Sequence, residues 1–191
     1  MDDTSQKIID ATMVLIRDKG YVATTTKDIA SLADVNECTI FRKFKCKKDI
    51  VTCGISQDKW RAHVTPDIFQ PICWDLETDL IMFMHAYMSR VTPDFVNLSI
   101  GLRAPQLYDE TAPMIMKIPQ IFMDSLVKYF EEMELRGKLP HMNFEQLAMT
   151  IFSSTFGFTF LTASFQENLT SINQQEFIQN SVQVFVKGIS Q

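Results

Sequence analysis

Residues 20–50 read GYVATTTKDIASLADVNECTIFRKFKCKKDI, and this stretch decides the fold. Gly20-Tyr21 begins a turn, and Thr24-Thr25-Thr26 offers hydroxyl caps to a short helix over 27–33 that buries Ile29, Ala30 and Ala33. Asp34-Val35-Asn36 is a tight connection. Asn36 caps a second helix over 37–44, in which Ile40 and Phe44, four apart, point inward while Thr39, Arg42 and Lys43 face out. Two short helices joined by a three-residue turn, the second with outward polar and basic groups, form the pattern of a helix-turn-helix. A plain helical hairpin has the same apolar spacing. Charge placement favours DNA: Arg42, Lys43, Lys45, Lys47 and Lys48 fall within seven residues that hold no carboxylate.

Composition sets what surrounds this stretch. The 191 residues are 46% hydrophobic, with Phe 15 and Met 11 high and Gly 6 and Pro 7 low, which favours long helices over a turn-dense β fold. An all-α fold is expected. The net charge of -5 makes no overall case for nucleic acid, but residues 1–53 hold nine Lys/Arg against eight Asp/Glu, and the rest nine against fifteen. The basic stripe therefore lies on an otherwise acidic chain. Cys38, Cys46, Cys53 and Cys73 show no CxxC spacing, and no apolar signal opens the chain, so a cytoplasmic protein with reduced thiols is expected. The uncharged run 147–165 has membrane length. Its Thr150, Ser153, Ser154, Thr155, Gly157, Thr159, Thr162 and Ser164, with no basic flanks, favour a buried soluble helix and no membrane.

About nine helices are predicted. The first starts from a Thr4 or Ser5 cap and stops before Gly20; the fourth covers 47–63. Thr65-Pro66-Asp67 and Gln70-Pro71 mark a break between head and body. Helices over 73–91 and 93–104 precede a turn-rich loop at 105–112. A seventh helix over 113–136 carries Pro119, which implies a kink or a later start. The eighth (143–165) and ninth (174–189) follow, the last with Phe177, Ile178, Ser181, Val182, Phe185 and Ile189 on one side.

The run Gly20-Tyr21-x-Ala23-Thr24-Thr25-x-x-Asp28-Ile29-Ala30-x-x-Ala33-x-Val35, then Thr39-Ile40-Phe41-x-x-Phe44-x-x-Lys47-x-Asp49-Ile50, resembles the TetR family of bacterial transcriptional regulators across residues 7–53. The resemblance implies a helix-turn-helix DNA-binding domain at 1–53 and an effector-binding and dimerisation domain at 54–191. It also implies roles. Thr25 and Thr26 would meet a phosphate at a helix N-terminus, with Lys27 reaching the same strand or a base edge. Asn36, Glu37, Cys38, Thr39, Phe41, Arg42 and Lys43 would belong to the recognition helix, with Arg42 or Lys43 reading guanine at about 1–3 kcal/mol per good pair. Lys47 would hold a phosphate. Four positions depart from the family pattern: Phe41 stands where Tyr is usual, Asp34 replaces the turn glycine, and Glu37 and Cys38 are untypical phosphate partners.

A homodimer through helices eight and nine is implied for the body, with Ser153, Ser154 and Gly157 permitting close backbone approach. Helices four to eight are expected to enclose a small apolar or aromatic effector, contacted by Trp60, Phe83, Met84, Tyr87, Met88, Phe95, Leu102, Tyr108, Phe122, Leu126, Phe152 and Phe156. The expected function is a repressor on a palindromic double-stranded DNA operator, released by the effector. An activator of the same architecture is the alternative, and behind it a helical ligand-binding or redox protein without DNA binding. Neither catalysis nor a cofactor or metal is expected: His63, His85 and His141 are widely spaced, and no HExxH, Gly-rich phosphate loop or nucleophile triad is present. Cys46 and Cys53 lie two turns apart on one predicted helix and cannot bridge.

Overall fold

In the computed structural model, residues 1–165 and 168–189 are described. Among them no strand occurs; nine α-helices are joined by loops and three short 3-10 turns. They divide into two compact units, Met1–Ala62 with Asp94–Met116, and His63–Pro93 with Lys117–Gln191.

The first unit holds α1 (Asp3–Ala23), α2 (Thr26–Leu32), α3 (Glu37–Lys43), α4 (Lys47–Ile55) and α6 (Pro93–Gly101) from Asp94 onward. The opening cap is neither Thr4 nor Ser5: Asp2 accepts the Ser5 N–H, which starts α1 earlier than the hydroxyls suggested. Gly20 breaks α1 as expected. Its φ of 81° is left-handed, and Tyr21–Ala23 adds one further turn beyond it. Thr25 caps α2 in a capping box with Asp28, and Asn36 caps α3. Asp34 takes the left-handed φ of 52° that a turn glycine would supply.

These caps aim one apolar edge of each helix at a common core. Ile8, Ile9, Met13 and Ile16 of α1 meet Ile29, Ala30, Ile40, Phe44, Ile50 and Val51. Leu98 and Leu102 complete the core from the other side of the sequence, with Leu107 of a 3-10 turn at Pro105–Leu107. Each fully buried Ile or Leu contributes about 1.5–3 kcal/mol, so the helix-turn-helix rests on a firm floor.

The fourth helix is shorter than its periodicity suggested. α4 ends at Ile55, and Trp60 lies in a separate 3-10 turn, Asp58–Trp60. Tertiary bonds outweigh helix continuation here: Gln57 exchanges amide bonds with Gln6 at 2.9 and 3.1 Å, and Arg61 Nε donates to the Ile55 carbonyl at 2.6 Å. Residues 105–112 are not a loop either. The Pro105–Leu107 turn leads directly into α7 (Tyr108–Leu135), whose buried Thr111 hydroxyl bonds the Leu107 carbonyl at 2.9 Å. Pro119 imposes no later start, since α7 is helical throughout.

The second unit contains α5 (Leu76–Arg90), α7 from Lys117, α8 (Phe144–Phe165) and α9 (Gln174–Ile189). Its interior is aromatic. Phe69 stacks on Phe83 at 4.8 Å, and Phe122 meets Phe69, Tyr87 and Phe152 at 5.5, 4.9 and 5.6 Å. Each such pair adds about 0.5–1.5 kcal/mol beyond burial. One carboxylate lies inside: Asp79, 1% exposed, accepts from Tyr129 Oη at 3.0 Å, Cys73 N at 2.9 Å and Cys73 Sγ at 3.1 Å. It pins the segment before α5 onto α7. α8 is long and apolar enough to cross a bilayer by length and composition, yet Ala148, Ile151, Thr155, Thr159 and Ala163 are buried in the fold. Its threonines bond back to their own helix, Thr155 to Ile151 at 2.7 Å and Thr159 to Thr155 at 2.9 Å, so no hydroxyl is stranded.

Candidate DNA-binding face and effector cleft

The outer side of α3 follows from its inner side. With Ile40 and Phe44 buried, the helix turns Cys38, Phe41 and Arg42 outward, and Phe41 is 57% exposed. Phe41 thus presents an aromatic ring to solvent beside an exposed guanidinium. The start of α2 lies alongside in the same unit: Thr25 and Lys27 are exposed, Thr26 is half-buried. Thr26 Oγ1 donates to Glu37 Oε1, joining the two helix N-termini through a charge-assisted bond. Glu37 thus makes its bond within the head, to the start of α2. Lys19 reaches Asp28 at 2.7 Å, and this bond, then those from Thr25, hold the Asp28 carboxyl below the usual carboxylate range.

Two lysines sit differently from expectation. Lys47 Nζ donates to the carbonyls of Tyr21 and Thr24 and lies 4.0 Å from the Tyr21 ring centroid. It closes the end of α1, where carbonyls lack helical partners, and desolvation lowers its pKa. Lys43 Nζ is held by both oxygens of Asp2, at 2.9 and 2.8 Å. That bond, foremost, brings the Asp2 carboxyl down to about 2. Neither pairing was visible in local spacing, because each partner comes from α1 or its cap.

The twelve effector candidates separate. Phe83, Met84, Tyr87, Met88, Phe122, Leu126, Phe152 and Phe156 belong to the second unit, on α5, α7 and α8. Trp60, Phe95, Leu102 and Tyr108 belong to the first. Leu102 is part of that unit's core, Trp60 packs against it, and Tyr108 is 61% exposed at the start of α7. A cleft of about 370 Å³ opens between α5, α8 and α9, lined by Leu80, Met84, Thr150, Ile151, Ser154, Asn180, Ser181, Val182, Val184 and Phe185. Only Met84 of the twelve lines it. Of its α9 residues, Ser181, Val182 and Phe185 lay on the side read from the sequence, whereas Asn180, Val184 and the neighbours across the cleft did not. Phe69, missed because it sits in a proline-flanked break, is among the most buried rings. No group of three or more His, Cys, Asp or Glu suited to a metal occurs among the described residues.

A head of this geometry has known counterparts. The family profile of bacterial regulatory proteins, tetR family, matches residues 8–52. The uncharacterized HTH-type transcriptional regulator YvkB of Bacillus subtilis (strain 168) is 31% identical over 190 residues, covering 100% of this chain and 99% of that one. Among solved structures, NalD, the secondary repressor of the MexAB-OprM multidrug efflux pump in Pseudomonas aeruginosa, superposes with TM-score 0.68 at 16% identity, over 97% of this chain and 95% of that one. A putative fatty acid metabolism regulator of Clostridium perfringens does so with TM-score 0.65 at 18% identity, over 96% and 98%. The solved structures share the fold, and the full-length relative shares the sequence. With capped α2 and α3 on a common core and a second helical unit, the chain belongs to the TetR family of transcriptional regulators and carries its helix-turn-helix DNA-binding domain.

Proposed function

We propose that the chain is a homodimeric repressor whose DNA-binding domain, residues 1–53, reads a palindromic operator and is released by a small apolar or aromatic effector bound within residues 54–191. The observation that carries this reading is the outward face of α3, where Phe41 and Arg42 stand exposed over a buried Ile40. Arg42 is the foremost base reader, bidentate to guanine. Phe41 supplies ring contact, Thr25 and Lys27 meet phosphate, and Asn36, Cys38 and Thr39 line the entry of α3 into the major groove. Thr26 and Glu37 brace the two helices, while Lys47 contributes charge from its carbonyl seat.

Dimerisation through α8 and α9 is supported by their apolar exposure: Met149, Leu161 and Val184 are open, and a Cβ at Gly157 would meet no atom within 4 Å. A second copy covers such a face without the cost of lipid insertion and sets two heads one helical turn apart, about 34–36 Å. The effector is proposed to enter beside Met84 and repack Phe83, Tyr87, Met88, Phe122, Leu126, Phe152 and Phe156, a methionine-aromatic set that adapts to bulky apolar shapes. The cytoplasm is the proposed location; all four thiols are free.

The test is selection of binding sites from random duplexes by the wild-type protein, followed by titration of Arg42→Ala. Inverted repeats should emerge, and Arg42→Ala should bind them at least tenfold more weakly, within the range of about 1–3 kcal/mol for one bidentate pair. A pool that never enriches, or an Arg42→Ala variant that binds as wild type, overturns the proposal.

A further inference from the structure

The recognition helix carries two basic residues in its last turn, Arg42 and Lys43, and the structure treats them differently. Arg42 is exposed to solvent. Lys43 is drawn back across the head to Asp2, forty-one residues earlier, and both carboxylate oxygens hold it, at 2.9 and 2.8 Å. The lysine side chain is 21% exposed in this pair, against 60% for the aspartate. Asp2 Oδ1 also accepts the Ser5 N–H at 2.9 Å, so one carboxylate caps α1 and fixes the end of the reading helix.

We propose that Asp2 is an affinity- and specificity-setting residue: it occupies Lys43 as a phosphate would and withholds that cation from the operator. This rests on the reading of α3 as the DNA-facing helix. An intrachain carboxylate at hydrogen-bond distance competes with phosphate at no cost in translational freedom, so Lys43 stays with Asp2 when the head docks. The pair carries no net charge and so removes one cation from the rim of the reading face, which lowers non-specific affinity more than specific affinity. Non-specific binding is almost wholly electrostatic, whereas the base contacts of Arg42 are untouched.

Asp2→Asn separates the two duties of the residue, because Asn caps helices as well as Asp but carries no charge. Binding of wild type, Asp2→Asn, Lys43→Ala and the double variant to the selected operator is measured by fluorescence anisotropy between 50 and 300 mM KCl. Melting by circular dichroism confirms that each is folded, and Asp2→Ser provides a second uncharged cap. In Asp2→Asn, Lys43 becomes a phosphate contact, so the slope of log Kobs on log salt steepens by about 0.9 per protomer and affinity at 0.15 M salt rises about fivefold per protomer. Affinity for unrelated duplex rises by a larger factor. Lys43→Ala alone changes binding less than twofold, and in the Asp2→Asn background it cancels the gain. If wild type binds its operator and Asp2→Asn leaves affinity and slope unchanged, or if Lys43→Ala alone costs as much as Arg42→Ala, the inference is overturned while DNA binding stands. If wild type binds no duplex, both fall.

Discussion

Gly101→Ala adds one methyl group, and its effect can be worked from three distances. A Cβ built on Gly101 lies 2.1 Å from the Ile16 carbonyl oxygen, 3.0 Å from its carbon and 3.1 Å from Ile16 Cγ2. The first contact is to backbone, which no rotamer change relieves, so α6 must withdraw from α1 by roughly 1 Å to reach ordinary contact. Leu98 and Leu102 flank the glycine and are 3% and 1% exposed in the same core. A gap of 0.5–1 Å forfeits about a quarter to a half of each dispersion contact. A 2.1 Å approach to backbone lies at the top of the usual overpacking range of about 1–3 kcal/mol, and with about 1 kcal/mol returned by the better helix propensity of Ala the net loss is about 2 kcal/mol. Urea unfolding followed by far-UV circular dichroism reads it directly: with a slope of about 2 kcal/mol/M the midpoint falls by about 1 M. Gly188→Ala is the matched control, since a Cβ there meets nothing within 4 Å and α9 gains up to about 1 kcal/mol. A Gly101→Ala midpoint at or above that of Gly188→Ala would refute the close-approach reasoning.

Asp79→Ala strands Tyr129 Oη and Cys73 N without their acceptor and should cost about 3 kcal/mol in the same assay, with Asp79→Asn milder; equal midpoints for Asp79→Ala and wild type would show the buried carboxylate to be dispensable. Acid should unfold the head through Asp2 and Asp28. Both folded-state pKa values are lowered, Asp2 to about 2, so their stabilising effect is complete above the unfolded value near 4 and is lost as pH falls toward the folded one. Melting temperature should thus be level from pH 7 to about 5 and fall below about 4, less steeply in an Asp2→Asn/Asp28→Asn variant; an identical acid profile in that variant contradicts the assignment. Gly157→Leu faces open space within one protomer and should leave monomer stability within about 1 kcal/mol while weakening self-association in sedimentation velocity, whereas unchanged self-association places the interface elsewhere.

The head was legible because its signals are local. Thr25 and Asn36 cap the helices that they precede, and Ile40 and Phe44 recur at four-residue spacing over a buried floor. What escaped was set by partners far along the chain. Nothing near Lys43 announces Asp2, and no glycine or proline follows Ile55 to announce the end of α4, which the Gln6–Gln57 amide pair helps to settle. Residues 105–112 combine Pro105 with polar residues, and turn chemistry outweighed the helical start at Tyr108 that Thr111 helps to hold. The aromatic richness of the second unit was plain from composition, yet the ring-to-ring order was not, since periodicity gives a face and never its neighbour.

The shortened α4 also bears on how the proposed effector could act on the head. A single helix carrying Lys47 at one end and Trp60 at the other would act as a rigid lever, but that rod stops at Ile55. Other elements are built into the head. Leu98, Leu102 and Leu107 share the core of α1 to α4, Gly101 lies against the Ile16 carbonyl, and Glu110 at the start of α7 pairs with Lys48 at 2.6 Å. The chain leaves this unit at Ala62 and again at Met116, and its buried polar atoms without partners, Trp60 Nε1 and Glu110 Oε2, lie close in sequence to those exits. An unsatisfied buried atom costs about 1–3 kcal/mol, comparable to the 1–3 kcal/mol of a typical allosteric coupling. Under the proposed ligand-responsive function, a rearrangement that gave either atom a partner would bias the head by an amount of that order, acting through α6 and the first turns of α7, whose Leu98, Met114 and Ile115 belong to or pack on the head's own core.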